Sequence, residues 1–314
     1  AWNEDGKGIS VADILASDSE KGIRIETNGI KEGYYYASHK ACDMYHHIQE
    51  DIELMAEMGL KAYRMSIAWT RIYPNGDDAE PNEAGLEYYD TLFDALKSHG
   101  IEPVVTISHY EPPFHMCEYG GWSSRKMIDC YLKYCETIFR RYREKVTYWL
   151  TFNEINILRV PFGILTSGGI NIPSFSEENT EELRFNAMHN QFVASAKAVM
   201  LGHKINPSFL FGCMFASMLQ YPLTCHPDDI FAASLNNQTN YLFAPDVQVR
   251  GTYPGYMKRY WRDRNIHVKM DSEDEETLRK GTVDFVSFSY YSTTCMSVTQ
   301  TADAAGKGKA AGNL

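Results

Sequence analysis

Several signatures that would identify other classes of protein are missing from this 314-residue sequence. It contains seven cysteines but no C-x-x-C pair, which favours reduced thiols over a disulfide framework or a zinc site. No uninterrupted apolar run approaches the roughly 20 residues that span a bilayer, and residues 1–10 lack the basic and apolar regions of a signal peptide. These absences predict a cytoplasmic protein that does not interact with membranes.

Charge and motif content remove further alternatives. The net charge is −11, so the surface as a whole repels polyanions and no nucleic-acid partner is expected. The sequence also lacks the patterns H-E-x-x-H, G-x-x-x-x-G-K-[ST] and G-x-S-x-G, which are typical of zinc hydrolases, phosphate-loop proteins and serine hydrolases. We therefore expect no metal, no cofactor and a small molecule as the binding partner, and we leave a homo-oligomer open.

Apolar, strand-like segments alternate with amphipathic helical segments along the chain. The predicted strands cover residues 61–69, 102–108, 146–152, 208–217 and 283–291. Between the first two, Leu86, Tyr89, Phe93 and Leu96 recur at helical spacing, and Gly100 is placed to cap that helix. Near-continuous apolar strands joined by such helices indicate a parallel sheet that is covered by helices.

Two architectures fit this alternation, an open doubly wound sheet and a (β/α)₈ TIM barrel. An open sheet that binds a dinucleotide usually carries a G-x-G-x-x-G turn after a strand, and none occurs here. The predicted strands instead run into segments such as SHYEPP and TFNEIN, which suit the face of a barrel where substrates bind. The barrel is favoured, but only five of its eight strands can be recognised. Either the fold is not a closed barrel or the chain is a fragment.

The leading candidate for chemistry is Glu154, which follows the strand at 146–152. A carboxyl group that is desolvated at the end of an apolar strand favours its protonated form, as a general acid requires. A structural ion pair with Arg64 is an equally good interpretation. His109 and Glu111 end the preceding strand, where His109 could donate to a ligand hydroxyl or orient a neighbour. Tyr110 offers a flat face for stacking on a sugar ring, although large aromatic residues more often fill a core.

Five segments, taken together and in this order, resemble glycoside hydrolase family 1, and in particular its bacterial 6-phospho-β-glucosidase branch. They are YRMSIAWTRIYPNG, GIEPVVTISHYEPP, EYGGW, YWLTFNEIN and DFVSFSYY. The resemblance extends over nearly the whole chain. It implies a retaining β-glycosidase on a (β/α)₈ barrel, with residues 1–314 forming a single but incomplete catalytic domain in which strands two to six are recognisable.

The resemblance also implies roles for individual residues. Glu154 matches the family's acid/base, and Asn153 matches the residue that holds the 2-hydroxyl of the sugar. His109 matches a histidine that binds the glycone, while Arg64 and Tyr291 match groups that hydrogen-bond the nucleophile. These roles are chemically reasonable, because an arginine beside a carboxylate keeps it ionised for attack and a 2-hydroxyl contact strengthens in an oxocarbenium-like transition state.

Two departures favour the phospho-sugar branch. Ordinary β-glucosidases of the family usually read H-W-D-L-P where this chain has HYEPP, and N-Y-Y where it has SYY. We therefore expect a substrate such as phosphorylated cellobiose or an aryl 6-phospho-β-glucoside. A plain β-glucosidase and a non-catalytic protein that binds phospho-sugars remain as alternatives.

The family's nucleophile, a glutamate in an E-N-G motif, has no counterpart, because the sequence contains no Glu-Asn-Gly. The phosphate-binding loop after the last barrel strand and the family's first strand are not recognisable either. We therefore expect a chain that is truncated at both ends. On its own it should be inactive, because one carboxylate of the double displacement is missing.

Overall fold

The centre of the molecule is a five-stranded parallel sheet. The computed structural model describes residues 2–18 and 23–298. The five strands of the sheet are Ala62–Ser66 (β3), Glu102–Ser108 (β4), Tyr148–Phe152 (β5), Leu210–Ser217 (β6) and Phe285–Tyr290 (β8). They lie side by side in the order β3-β4-β5-β6-β8, and every neighbouring pair is parallel. All five strands that the sequence predicted are therefore present.

Helices connect the strands of this sheet, as parallel neighbours require. The helix that the periodicity of Leu86, Tyr89, Phe93 and Leu96 predicted is present at Glu83–Ser98, and all four side chains are buried. The helices are Ile48–Glu57 (α1), Trp69–Ile72 (α2), Glu83–Ser98 (α3), Lys126–Arg141 (α4), Gly163–Thr166 (α5), Glu181–Ile205 (α6), Pro227–Asn237 (α7), Phe243–Arg250 (α8), Gly255–Asp263 (α9) and Asp274–Lys280 (α10). None of the helices in the described ranges is long and apolar enough to cross a bilayer.

Four short strands lie outside the central sheet. Leu15–Asp18 (β1) and Ile23–Glu26 (β2) form an antiparallel hairpin in a part of the chain where the sequence predicts no strand. Gln220–Pro222 (β7) pairs with Thr294–Met296 (β9) beside the end of the sheet. Strands of three or four residues carry too little periodicity to be recognised from sequence. The Gly/Ala/Lys-rich tract at 301–314, whose sequence shows no core pattern, lies outside the described residues.

Aromatic side chains fill the layer between the sheet and its helices. Trp69, Trp122, Trp149, Tyr131 and Tyr134 are all fully buried. Two of the tyrosines donate from this layer to the backbone, so their hydroxyl groups are satisfied: Tyr131 to the carbonyl oxygen of Thr151 at 2.6 Å, and Tyr134 to that of Ile107 at 3.0 Å. The packing fixes the positions of the strand ends that carry the candidate functional residues.

A buried polar cluster joins α6, α10 and the residue before α4. Asp274 accepts two hydrogen bonds from the Arg125 guanidinium, at 2.9 and 2.7 Å, and one from the Asp271 backbone N–H at 2.7 Å. His189 Nε2 lies 3.0 Å from Asp274, and His189 Nδ1 lies 2.9 Å from the Tyr253 hydroxyl. The aspartate is completely shielded from solvent, so this cluster ties the outer helices to one another.

Candidate active site

The carboxyl ends of the parallel strands bring the predicted functional residues to one edge of the sheet. Arg64 lies on β3, His109 directly follows β4, Asn153 and Glu154 directly follow β5, and Tyr291 directly follows β8. The register aligns Ser108 at the end of β4 with Phe152 at the end of β5. His109 and Asn153 are thus level with one another, and so are the residues that come after them.

Glu154 is the centre of this group. Its side chain is almost completely buried, with the residue 1% exposed, and its backbone has a positive φ of 40°. The Tyr110 hydroxyl donates to Glu154 Oε2 at 2.6 Å, and the Tyr291 hydroxyl donates to the other carboxylate oxygen, Oε1. Phenolic donors therefore satisfy both oxygens of this buried carboxyl group.

Arg64 contacts the amide beside Glu154. Its Nη2 donates to Asn153 Oδ1 at 2.6 Å, and its Nε donates to Thr106 Oγ1 at 3.2 Å. Burial lowers the pKa of Arg64, and the nearby Glu154 carboxylate acts in the opposite direction. An arginine stays protonated nonetheless. Arg64 is not among the ion-pair partners of Glu154 in the described part of the chain, so the structural ion pair that we kept as an alternative is not formed.

His109 lies beside Arg64 at a position that is partly exposed to solvent. Loss of hydration lowers the pKa of His109 to about 4, the charge of Arg64 acts in the same direction, and Glu154 opposes them. The imidazole is therefore neutral near pH 7, and a neutral ring can donate one hydrogen bond and accept another. Arg64 and His109 both line a groove of about 340 Å³ that also borders Tyr63, Tyr88 and other residues.

Glu111 supports the turn that carries His109. Its Oε1 accepts the His109 backbone N–H at 2.7 Å, whereas Oε2 is buried without a hydrogen-bond partner among the described residues. Burial raises the pKa of Glu111 to about 7, although the His109 N–H and the charge of Lys7 act in the opposite direction. The Glu111 carboxyl group is thus directed at the backbone of its own turn.

Tyr110 makes a contact in the site that the sequence did not predict. The sequence suggests a stacking surface for a sugar or a core residue, and in the structure the Tyr110 hydroxyl donates to Glu154. The signal that could have found it is its position two residues after β4, which matches the position of Glu154 two residues after β5. Tyr291, which the resemblance matches to a group that hydrogen-bonds the nucleophile, donates from its hydroxyl to Glu154 in this structure. The roles of Glu154, Asn153, His109, Arg64 and Tyr291 stay predictions.

The described residues also form a second cavity, which lies away from Glu154. A larger cavity, of about 500 Å³, is bordered by residues of α9 and α10 and shares no lining residue with the groove beside Arg64. Among the described residues, no group of three or more histidine, cysteine, aspartate or glutamate side chains is placed to hold a metal ion. The seven cysteines are all free thiols.

Comparison with known proteins adds independent information. A sequence model described as "Glycosyl hydrolase family 1" matches residues 1–312. The "Aryl-phospho-beta-D-glucosidase BglH" of Bacillus subtilis (strain 168) is 50% identical, and the alignment covers 100% of this chain and 64% of that protein. The "6-phospho-beta-glucosidase" of Clostridium longisporum is 47% identical, with 100% of this chain and 63% of that protein covered. This chain therefore spans less than two thirds of the length of these relatives.

A solved structure is also similar to this chain and is also longer than it. The "Family 1 b-glucosidase from Thermotoga maritima" matches with a TM-score of 0.77 at 29% sequence identity, covering 93% of this chain and 61% of that one. Together with the five-stranded parallel sheet, this match confirms the prediction of an incomplete (β/α)₈ barrel.

Proposed function

Because the chain belongs to glycosyl hydrolase family 1, we propose that it is part of a retaining β-glycosidase that acts on 6-phospho-β-glucosides. The observation that supports this most is the buried Glu154 at the carboxyl end of a parallel strand, with Asn153, Arg64 and His109 beside it. The preference for phosphorylated substrates is supported by the names of the two curated relatives above, which are similar over the whole chain.

Glu154 is the proton shuttle of this proposal. In the first step, Glu154 donates a proton to the glycosidic oxygen as that oxygen leaves, and a second carboxylate attacks the anomeric carbon. In the second step, Glu154 accepts a proton from water, which cleaves the glycosyl-enzyme and restores the original configuration. The Asn153 amide holds the 2-hydroxyl of the sugar, and neutral His109 exchanges hydrogen bonds with the glycone.

We propose that the second carboxylate comes from polypeptide beyond these 314 residues. The sequence contains no Glu-Asn-Gly, and the chain covers 64% of the length of its B. subtilis relative. Glu111 is directed at the His109 backbone. The chain by itself should therefore bind a phospho-sugar weakly and should not turn it over.

The test compares two proteins, the 314-residue chain and the same chain extended to the length of its relatives. Each is assayed with nitrophenyl 6-phospho-β-glucoside and with plain nitrophenyl β-glucoside. We expect hydrolysis of the phosphorylated substrate by the extended protein alone. Full turnover by the 314-residue chain would refute the missing-carboxylate proposal, and a preference for the plain substrate would show an ordinary β-glucosidase. Calorimetric binding without hydrolysis by either protein would show a non-catalytic sugar-binding protein.

The role of Glu154 is tested with Glu154→Gln in the extended protein, with Glu178→Gln as a matched control at an exposed position. Substrates with poor leaving groups need protonation of the departing oxygen, whereas activated aryl substrates need it much less. We therefore expect E154Q to lose at least about 100-fold more activity on phosphorylated cellobiose than on the nitrophenyl substrate. Equal losses on both substrates would contradict the assignment.

A further inference from the structure

The structure places a second aromatic hydroxyl on the proposed proton shuttle. We propose that Tyr110 is a positioning residue for Glu154, whose carboxyl group it holds in one orientation by donating a hydrogen bond to Oε2. This inference rests on the proposed function and deepens it, because it names the residue after the neighbouring strand that orients the proposed acid/base.

The backbone directs the two side chains toward each other. Ser108 and Phe152 are paired at the ends of adjacent strands, so Tyr110 and Glu154 occupy equivalent positions two residues further on. Both residues have a positive φ, 63° for Tyr110 and 40° for Glu154. Residues other than glycine adopt this conformation rarely, and they keep it only where the surroundings enforce it.

Hydrogen bonds on both sides of Tyr110 support its positive φ. On one side, the Glu111 carboxyl group accepts the His109 backbone N–H at 2.7 Å, which closes the turn around Tyr110. On the other side, the chain near residue 10 forms backbone hydrogen bonds to Pro112 and Phe114, at 3.0 and 2.9 Å. Hydrogen bonds therefore hold the backbone on both sides of Tyr110, and the Tyr110 hydroxyl lies 2.6 Å from Glu154 Oε2.

The charged and titratable groups around Glu154 give Tyr110 a defined effect. Tyr110 and Tyr291 donate to its two oxygens, and Arg64 and His109 interact with it electrostatically. Burial raises the pKa of Tyr110 far above its usual value, and Glu154 adds to this increase. The Tyr110 phenol therefore stays protonated near neutral pH and remains a hydrogen-bond donor. A donor stabilises the carboxylate more than the carboxylic acid, and loss of the Tyr110 hydroxyl would remove this donor from Glu154 Oε2.

The experiment follows the protonation of Glu154 directly, in the 314-residue chain and in the absence of substrate. Protein labelled with ¹³C at the glutamate carboxyl carbons is titrated by NMR, and E154Q identifies the Glu154 resonance. The variants are Tyr110→Phe, which removes one hydroxyl, and Tyr131→Phe as the matched control. Tyr131 is also buried, but it donates to the carbonyl oxygen of Thr151 rather than to Glu154.

We expect Y110F to raise the midpoint of the Glu154 titration by about one pH unit, a tenfold change in its acid dissociation constant. We expect Y131F to leave it unchanged. If Tyr110 had only a structural role, Y110F would lower the stability of the protein without moving this midpoint. The same midpoint in the wild type and in Y110F would overturn the proposal.

A second measurement needs no variant at position 110, so it holds even if Y110F does not fold. In the wild type labelled at tyrosine, the Cζ resonance of Tyr110 should shift at the same pH as the Glu154 carboxyl carbon, and that of Tyr131 should not. A Tyr110 resonance that ignores the Glu154 titration would also overturn the proposal. Neither measurement depends on hydrolysis, so loss of the proposed activity and loss of the proposed contact are separate outcomes.

Discussion

Asp274 provides the sharpest test of the packing that holds the outer helices in place. Burial by itself would raise the pKa of this carboxyl group, but hydrogen bonds from Arg125, His189 and the Asp271 backbone outweigh burial and lower it from 3.8 to about 2. A decrease of this size corresponds to about 2.5 kcal/mol of folding free energy at neutral pH. We predict that Asp274→Asn lowers the free energy of unfolding by about that amount at pH 7.

The pH dependence has a definite sign. The pKa of Asp274 is lower in the folded state than in the unfolded state, so its carboxylate contributes its full stabilisation above about pH 4 and loses it as the pH falls toward 2. The difference between the wild type and D274N should therefore be constant from pH 7 to about pH 5 and should decrease below about pH 4.

Urea unfolding, followed by circular dichroism at several pH values, measures both quantities. The matched control is Glu276→Gln on the same helix, because Glu276 forms an exposed ion pair with Lys280 at 2.6 Å. Exposed pairs contribute little, and we expect no measurable change in stability for this variant. The reasoning is refuted if D274N is as stable as the control variant at pH 7, or if its loss of stability is equally large at pH 3.

Three further predictions address the site and the packing beneath it. NMR titration of His109 should give a midpoint near 4, and Arg64→Met should raise it because a neighbouring cation is removed; an ordinary midpoint near 6.5 would contradict this. The pKa of Glu111 is raised to about 7 in the folded state, so the wild type should lose stability as the pH rises from 5 to 8. Glu111→Gln should remove most of this pH dependence. The same dependence of stability on pH in both proteins would count against the prediction. Gly85→Ala places a Cβ 2.0 Å from the carbonyl oxygen of Arg71, so thermal unfolding should show a loss of more than about 2 kcal/mol in stability. In the control Gly255→Ala, the new Cβ meets no atom within 4 Å, and stability should hardly change.

The strand and helix pattern of the central sheet could be predicted because each of its elements is long enough to show a period. The helix with Leu86, Tyr89 and Phe93 on one face is present as α3, with all three residues buried. The hairpin of β1 and β2 could not be found in this way, since two strands of four residues are stabilised by pairing with each other rather than by an apolar pattern. Neither the absent motifs nor the composition gave any information about it.

By itself, the sequence determined which residues meet at the carboxyl edge of the sheet. Apolar strands that alternate with helices form a parallel sheet, and the residues that follow parallel strands lie at the same edge. Strand direction alone therefore places His109, Asn153 and Glu154 there. This part of the site depends only on strand direction, which is encoded locally.

Only the tertiary structure decided which side chains contact each other at that edge. Arg64 was an equally good partner for Glu154 on the basis of sequence, yet it donates to Asn153 and Thr106, and two tyrosine hydroxyls satisfy Glu154 instead. The choice depends on the register of β4 and β5, on the left-handed backbone at Tyr110 and Glu154, and on burial from several helices at once. Such contacts join residues more than 40 positions apart, so no local pattern can specify them.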